Sequence, residues 1–147
     1  MKNNKIKHLE FIQNIITRMN TNSFQIKGMS ITITAALLAL YAGSNKPLYL
    51  PIPIISTILF WFLDAYYLQQ ERKFRGVYND VAKLSNLEFR IDVRSFEMPI
   101  QKYVNGKYSY LNVLWSKTIW PFYFIPIIVL LFTTIILINP CDCIIYR

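Results

Sequence analysis

The amino-acid sequence predicts an all-α membrane protein of three transmembrane helices, with an amphipathic N-terminal helix and a small cytoplasmic α+β loop module. Composition is the first observation behind this fold class, because the 147-residue chain is 54% hydrophobic and only 16% charged, whereas soluble domains average about 25% charged residues. The second is that the apolar residues gather in three blocks, and the third is that the basic residues lie mostly on one side of those blocks. Collagen-like, disordered, disulfide-dense and large multidomain enzyme classes are thereby excluded.

The first predicted region is a cytoplasmic amphipathic helix within residues 1–27. Residues 5–19 place apolar side chains on one side of a helical wheel and polar side chains on the other, with His8 on the apolar side, where a packed histidine is commoner than a ligand or base. The polar residues 20–23 predict a break before the membrane. The helix is interpreted either as a sensor on the inner leaflet or as a helix packed on the chain's own cytoplasmic loop. A signal peptide fits poorly, because the basic segment is long and no convincing cleavage site follows.

The apolar blocks are residues 28–42, 48–68 and 119–138, and a hydrocarbon core takes about 20 helical residues. The third block is long enough and uncharged, so region 118–138 predicts a transmembrane helix. The second is also long enough, and Pro51 and Pro53 suit a first helical turn. The first block is short, but region 28–68 still predicts a hairpin of two spans joined by a tight turn.

The distribution of positive charge decides the threading. Of the 16 Lys and Arg residues, five precede the first block and nine lie between the second and third. If all three blocks span, these fourteen face one compartment, which predicts a cytoplasmic N-terminus and places the short tail 139–147 outside. The predicted location is the bacterial cytoplasmic (inner) membrane, with a multi-pass topology.

Residues 69–117 form the predicted basic loop module. The helical period continues past the second span to Leu84, with Glu71 and Arg75 as an i,i+4 pair. The period then changes to two over residues 87–93, and Asn105-Gly106 is a common hairpin dipeptide. A meander of two or three strands is therefore predicted between about residues 87 and 111.

Asp64 is the main candidate site residue, because a carboxylate within a span is costly and is a functional hypothesis by default. We expect it to pair with Lys27 or Arg72, either as an interfacial anchor or as part of an ion path. Lys27, Arg72 and Arg75 are the candidates for coupling the loop to the membrane. Ser30, Thr32 and Thr34 are predicted to make hydrogen bonds between helices.

The loop also interleaves basic and aromatic residues, a combination that can bind nucleotides or single-stranded nucleic acid. The alternative is that the charge only sets the topology and attracts anionic lipid. The candidates for this surface are Arg90, Arg94, Lys102, Tyr103, Lys107 and Tyr108. No catalytic residue, metal site or cofactor is predicted, because the sequence has one histidine and lacks phosphate-loop and hydrolase motifs. Cys141 and Cys143 are too close in sequence to bridge each other easily.

Three segments carry a resemblance to a known class: HLEFIQNIITRMNTNSFQIKGMSI, FWFLDAYYLQQERKFRGVYNDV and WSKTIWPFYF. Here the chain resembles small bacterial multi-pass membrane proteins and is similar in layout to the SLATT-like membrane effectors of antiphage nucleotide-signalling systems. The resemblance implies an inner-membrane protein that forms homo-oligomers and perturbs the bilayer on a cytoplasmic signal. The third span and outside tail depart from the usual layout of that class.

The functional hypothesis from the sequence is therefore a non-enzymatic membrane effector controlled by its cytoplasmic module. One alternative is a membrane anchor or assembly subunit that docks a soluble protein partner. A second alternative is a small transporter accessory protein.

Overall fold

The computed structural model describes residues 2–44, 49–85, 91–94 and 96–138, and this part of the chain is helical with connecting turns. The long helices are α1 (Lys2–Ser44), α2 (Pro51–Ala82) and α4 (Trp120–Ile138). Between α2 and α4 lie two 3₁₀ turns, Ile100–Lys102 and Gly106–Tyr108, and the short helix α3 (Tyr110–Leu114).

Helix α1 runs without interruption through residues 20–23, so the predicted break there is wrong. The polar side chains of that run are compatible with a helix because they find partners that leave its backbone bonds intact. The Thr21 hydroxyl donates to the Thr17 carbonyl at 3.0 Å, and the Ser23 hydroxyl donates to Asp64 on α2. The amphipathic segment and the first apolar block are therefore one helix of 43 residues, about 65 Å long at 1.5 Å per residue.

Helices α1 and α2 form an antiparallel hairpin. Contacts along it keep one register: Thr34 lies opposite Thr57, Lys27 opposite Asp64, and Ile12 with Ile16 opposite Val77. Helix α2 starts at Pro51 with prolines in its first turn, as the sequence predicts. It continues as a single helix to Ala82, well beyond the second apolar block, and Lys83 ends it in the left-handed conformation with φ 64°.

The predicted α+β loop module is wrong, because no β-strand occurs in the described part of the chain. Residues 91–94 are irregular, residues 86–90 lie outside the described range, and Asn105-Gly106 opens a 3₁₀ turn with Gly106 at φ 62°. The physical reason is a competing set of partners for the loop backbone. Its carbonyl groups accept hydrogen bonds from side chains of α2: Gln69 to Tyr108 O at 2.9 Å and Arg72 to Lys107 O at 3.3 Å.

Two clusters of buried side chains hold the elements together. The head cluster joins α1, α2 and the loop through Ile12, Ile16, Val77 and Tyr103. The junction cluster joins α2, α3 and α4, and its buried members are Ala65, Val113, Leu114, Ile119 and Tyr123. Helix α2 contributes side chains to both clusters, which makes this helix the axis of the fold.

Helices α1 and α2 are each long and apolar enough to cross a membrane, which indicates membrane association. Helix α4 is also apolar but shorter. Large apolar side chains remain exposed on all three helices, among them Leu40, Leu59 and Phe132. This pattern suits a lipid environment, since an aqueous domain rarely leaves long continuous apolar surfaces open.

Candidate functional site

Asp64 lies in a buried charged cluster between α1 and α2. Its side chain is 0% exposed, and its Oδ2 atom lies 2.6 Å from the Lys27 Nζ atom, whose side chain is 22% exposed. The Ser23 hydroxyl donates to Asp64 Oδ1, and Lys27 donates to Ser23 Oγ at 2.8 Å. The pairing of Asp64 with Lys27 agrees with one of the two partners expected from the sequence.

Helical spacing explains why these side chains meet. Ser23 and Lys27 are four residues apart, so they project from the same face of α1. That face packs on α2 at the position of Asp64, and α4 closes the cluster from the other side. The buried Tyr123 ring of α4 brings its hydroxyl near the Asp64 carboxylate. The hydroxyl makes no hydrogen bond to any described residue.

The cluster is electrically balanced. A buried carboxylate without a partner would cost several kcal/mol, on the order of 3–5 kcal/mol when one member of a buried pair is removed. Lys27 supplies the opposite charge, and its partial exposure lets the ammonium group keep some contact with solvent. The arrangement fastens α1 to α2 at one fixed register without leaving a net charge in the interior.

The three predicted coupling residues, Lys27, Arg72 and Arg75, line one polar cavity of about 350 Å³. Glu71 also lines it, and it pairs with Arg75 at 2.7 Å across one helical turn, as the i,i+4 spacing predicts. Asn20, Ser23 and Thr118 contribute further polar side chains. The cavity thus joins α1, α2 and the start of α4 beside the Lys27–Asp64 pair.

The predicted basic and aromatic surface is not a continuous platform in the described residues. Lys102 and Lys107 are exposed, and Lys107 Nζ lies 5.2 Å from the centroid of the Tyr108 ring. Arg94 is exposed, and its backbone amide donates to Glu97. Arg90 lies outside the described residues. Tyr103 is buried and meets Tyr108 edge to face at 5.2 Å, so its ring is packed rather than presented to a base.

A second buried carboxylate, Asp80, fastens the loop to α2. Asp80 Oδ2 accepts a hydrogen bond from the Tyr103 hydroxyl and another, at 3.2 Å, from the Ile91 amide. Burial raises the pKa of Tyr103 well above its usual value, and the hydrogen bond to Asp80 raises this pKa further. The Tyr103 ring lies directly over Gly76, where an added Cβ would come within 2.7 Å of ring carbons.

Sequence reasoning missed Ser23, Gly76, Asp80 and Tyr123 as parts of these two clusters. Two of them carried a readable signal: Gly76 interrupts an otherwise good helical pattern, and Asp80 lies three residues after Val77 and four before Leu84, two apolar positions of that pattern. From the sequence, Ser23 lies in the predicted break at residues 20–23, and Tyr123 lies in the predicted transmembrane helix 118–138 with nothing to set it apart. Of the threonines expected to bond between helices, Thr34 does so with Thr57 at 3.2 Å, whereas Thr32 bonds back to Gly28 of its own helix.

His8 is buried beside Phe96, with ring centroids 5.7 Å apart, which agrees with the packed position expected from the sequence. Within the described ranges, no three His, Cys, Asp or Glu side chains come together as a metal-binding group. Cys141 and Cys143 lie outside the described residues. Comparison of the chain with protein-family models, with curated proteins and with solved structures gives no match.

Proposed function

We propose that this chain is a non-enzymatic, multi-pass protein of the bacterial inner membrane, with α1, α2 and α4 as three spans, the N-terminus inside and the C-terminus outside. Its cytoplasmic head, built by the head cluster and the loop, controls how the spans associate. The protein forms homo-oligomers and perturbs the bilayer when the head changes its packing.

The observation that carries the proposal is that α1 and α2 are each one unbroken helix. Each helix takes part in the head cluster at one end and extends into an apolar segment at the other. The buried Lys27–Asp64 pair holds their register at the boundary. A displacement of Ile12 or Val77 in the head would therefore move the apolar halves of both helices, because no flexible hinge separates the two parts of α1 or of α2.

The apolar halves also support the homo-oligomer. Their exposed side chains have no partner among the described residues of one chain, so lipid or further copies must cover them. Thr34 and Thr57 bond each other rather than lining an open path. A single copy offers no polar channel in the described residues, and perturbation of the bilayer would need several copies around an axis.

Labelling of the two native cysteines tests the threading. The chain has two cysteines, Cys141 and Cys143, and the proposed topology places both outside. A membrane-impermeant maleimide should label them in spheroplasts under reducing conditions, without lysis. The matched control is a Cys141→Ser/Cys143→Ser chain carrying Lys102→Cys in the proposed cytoplasmic loop, which should react only after lysis. Reversed labelling would refute the three-span topology.

A membrane-potential dye tests the control by the head. Ile12 is fully buried in the head cluster, so Ile12→Asp should disrupt the cluster and increase depolarisation several-fold over the wild-type chain at equal expression. Thr17→Asp adds the same charge at an exposed position of the same helix and should behave like wild type. Equal potentials in all three strains would contradict the effector proposal.

A second candidate function, a membrane anchor for a soluble protein, is favoured by a groove on the head. This groove of about 470 Å³ lies between α1 and α2 and is lined by Ile6, Leu9, Glu10, Gln13, Asn14 and Tyr78. Ile6, which lines the groove, is exposed. An anchor would copurify with a different protein at fixed stoichiometry and lose it on Leu9→Asp substitution, whereas an effector would form a detergent-stable homo-oligomer.

A further inference from the structure

The polar cavity beside the Lys27–Asp64 pair has more positive than negative charge. Three cations line it or reach it: Lys27, Arg72 and Arg75. Two carboxylates oppose them, since Asp64 pairs with Lys27 and Glu71 pairs with Arg75. One positive charge is therefore left over.

That surplus charge belongs to Arg72. Its Nη1 atom donates to the backbone carbonyl of Lys107 at 3.3 Å, and it has no carboxylate partner within the described ranges. A guanidinium group carries five N–H donors, so most of them remain available to an anion. Thr118 and Asn20 add a hydroxyl and an amide at the same cavity.

The depth of the cavity rests on the proposed function, in which α2 crosses the membrane with the apolar block 48–68, so that the membrane boundary lies near Leu68. Leu68 itself lines the cavity, and Arg72 lies one helical turn further toward the cytoplasm, about 6 Å by helical rise. This is the level of the lipid headgroups, which occupy the outermost few ångströms of each leaflet.

We propose that this cavity binds a phosphate group, held by Arg72 and Arg75 with Lys27 at its inner wall. Arginine matches phosphate because its planar fork can donate two parallel hydrogen bonds. Two sources share this chemistry: the headgroup of an anionic phospholipid and a small soluble phosphate. The site would make the packing of the head responsive to the anion bound at the boundary.

The test is a titration of the purified full-length chain in a neutral detergent, followed by calorimetry. One arm uses phosphatidylglycerol, the second uses phosphatidylcholine, whose choline cation opposes the guanidinium groups, and the third uses inorganic phosphate. Saturable phosphatidylglycerol binding, at least tenfold tighter than phosphatidylcholine, assigns the site to an anionic lipid. Saturable inorganic phosphate binding that displaces the lipid assigns it to a soluble phosphate. The proposal is overturned if neither phosphatidylglycerol nor inorganic phosphate shows saturable binding.

Variants of equal net charge separate a built site from general electrostatic attraction. Arg72→Gln should weaken phosphate binding about tenfold, which corresponds to one charge-assisted hydrogen bond. Lys73→Gln removes the same charge from the adjacent residue, which does not line the cavity, and should leave affinity unchanged. Equal weakening by both variants would refute the site.

Arg75→Lys guards against a folding defect in Arg72→Gln, because it keeps a cation beside the buried Glu71 carboxylate while it removes the planar guanidinium fork. It should also weaken binding, with an unchanged elution volume and helical circular dichroism spectrum. Unchanged affinity in this folded variant would refute the arginine pair as the binding group. Cysteine labelling of the same preparations before extraction reports the topology independently, so a failed site and a failed membrane placement give different results.

Discussion

Asp64 and Asp80 are both buried carboxylates on α2, but they are satisfied in different ways. Asp64 is paired with a cation, Lys27 of α1, and with the Ser23 hydroxyl. Asp80 instead accepts hydrogen bonds from neutral groups, the Tyr103 hydroxyl and the Ile91 amide. The two residues are sixteen positions apart, about 24 Å along the helix.

The difference follows from the surroundings of each carboxylate. Near the apolar segment, a carboxylate needs an opposite charge, since few water molecules are present to screen it. In the head, two hydrogen-bond donors from the loop satisfy the buried carboxylate of Asp80. Asp64 therefore joins helix to helix, while Asp80 joins loop to helix.

Removal of Lys27 should have the largest effect on stability. Lys27→Met leaves the Asp64 charge buried without its cation, and we expect a loss of about 3–5 kcal/mol in the free energy of unfolding. Urea unfolding of the detergent-solubilised chain, followed by tryptophan fluorescence, measures this loss. Lys7→Met removes an exposed lysine of the same helix and should change stability by less than about 0.5 kcal/mol.

The double variant Lys27→Met/Asp64→Leu isolates the pair. Replacing both charges by apolar groups of similar volume removes the desolvation penalty along with the attraction, so most of the lost stability should return. If the double variant is as unstable as Lys27→Met, the unpaired Asp64 charge does not account for the effect.

The sequence predicted the regular parts of this architecture better than the loop. The apolar blocks, the prolines at the start of α2 and the extension of α2 beyond the second apolar block all depend on local sequence patterns, which can be read from the chain. The i,i+4 pair Glu71–Arg75 is local too. The cation that pairs with Asp64 could be narrowed only to Lys27 or Arg72, because the choice depends on how α1 packs against α2.

The predictions that were wrong are those that depend on contacts between residues distant in sequence. The alternation over residues 87–93 predicted a strand, but the described part of this loop has no neighbouring strand to pair with, and the Ile91 amide donates to the Asp80 side chain of α2 instead. The polar run at residues 20–23 predicted a break in the helix. The Ser23 hydroxyl instead donates to Asp64, a partner 41 residues away that the local pattern does not reveal. In both places a partner distant in sequence overrode the local preference.

Gly76→Ala should have the next largest effect, on the Asp80 side of the comparison. The new methyl group would lie 2.7 Å from Tyr103 ring carbons and 2.8 Å from the Tyr108 hydroxyl, so the loop must shift. We expect a loss of about 1–3 kcal/mol from overpacking, measured by the same urea titration. Gly28→Ala, whose Cβ meets nothing within 4 Å, should instead stabilise α1 by about 0.5–1 kcal/mol.

High pH should weaken the attachment of the loop to α2 through Tyr103 and Asp80. The pKa of Tyr103 is raised in the folded chain by burial and by Asp80, so the neutral phenol stabilises the fold fully below about pH 10, the pKa of an unfolded tyrosine. Above that pH this contribution falls, by at most about 1.4 kcal/mol per pH unit. Tyr103→Phe should show a smaller loss of stability between pH 10 and 11 than wild type, and equal losses would contradict the assignment.

The smallest expected effect concerns Thr34. It tests whether the packing of α1 on α2 in the apolar half of the hairpin depends on polar contacts, as it does at the Lys27–Asp64 pair. Its hydroxyl shares a hydrogen bond of 3.2 Å with Thr57, whose own hydroxyl also donates to the Pro53 carbonyl of α2. Because Thr57 keeps that second partner, Thr34→Val should cost only about 0.6 kcal/mol, the average for hydrogen bonds between transmembrane helices. Thr32→Val is the matched control, since the Thr32 hydroxyl bonds within α1, and its unfolding midpoint should stay at the wild-type value. If Thr34→Val lowers the free energy of unfolding as much as Lys27→Met, the register of α1 on α2 is set along the whole hairpin and not by the Lys27–Asp64 pair alone.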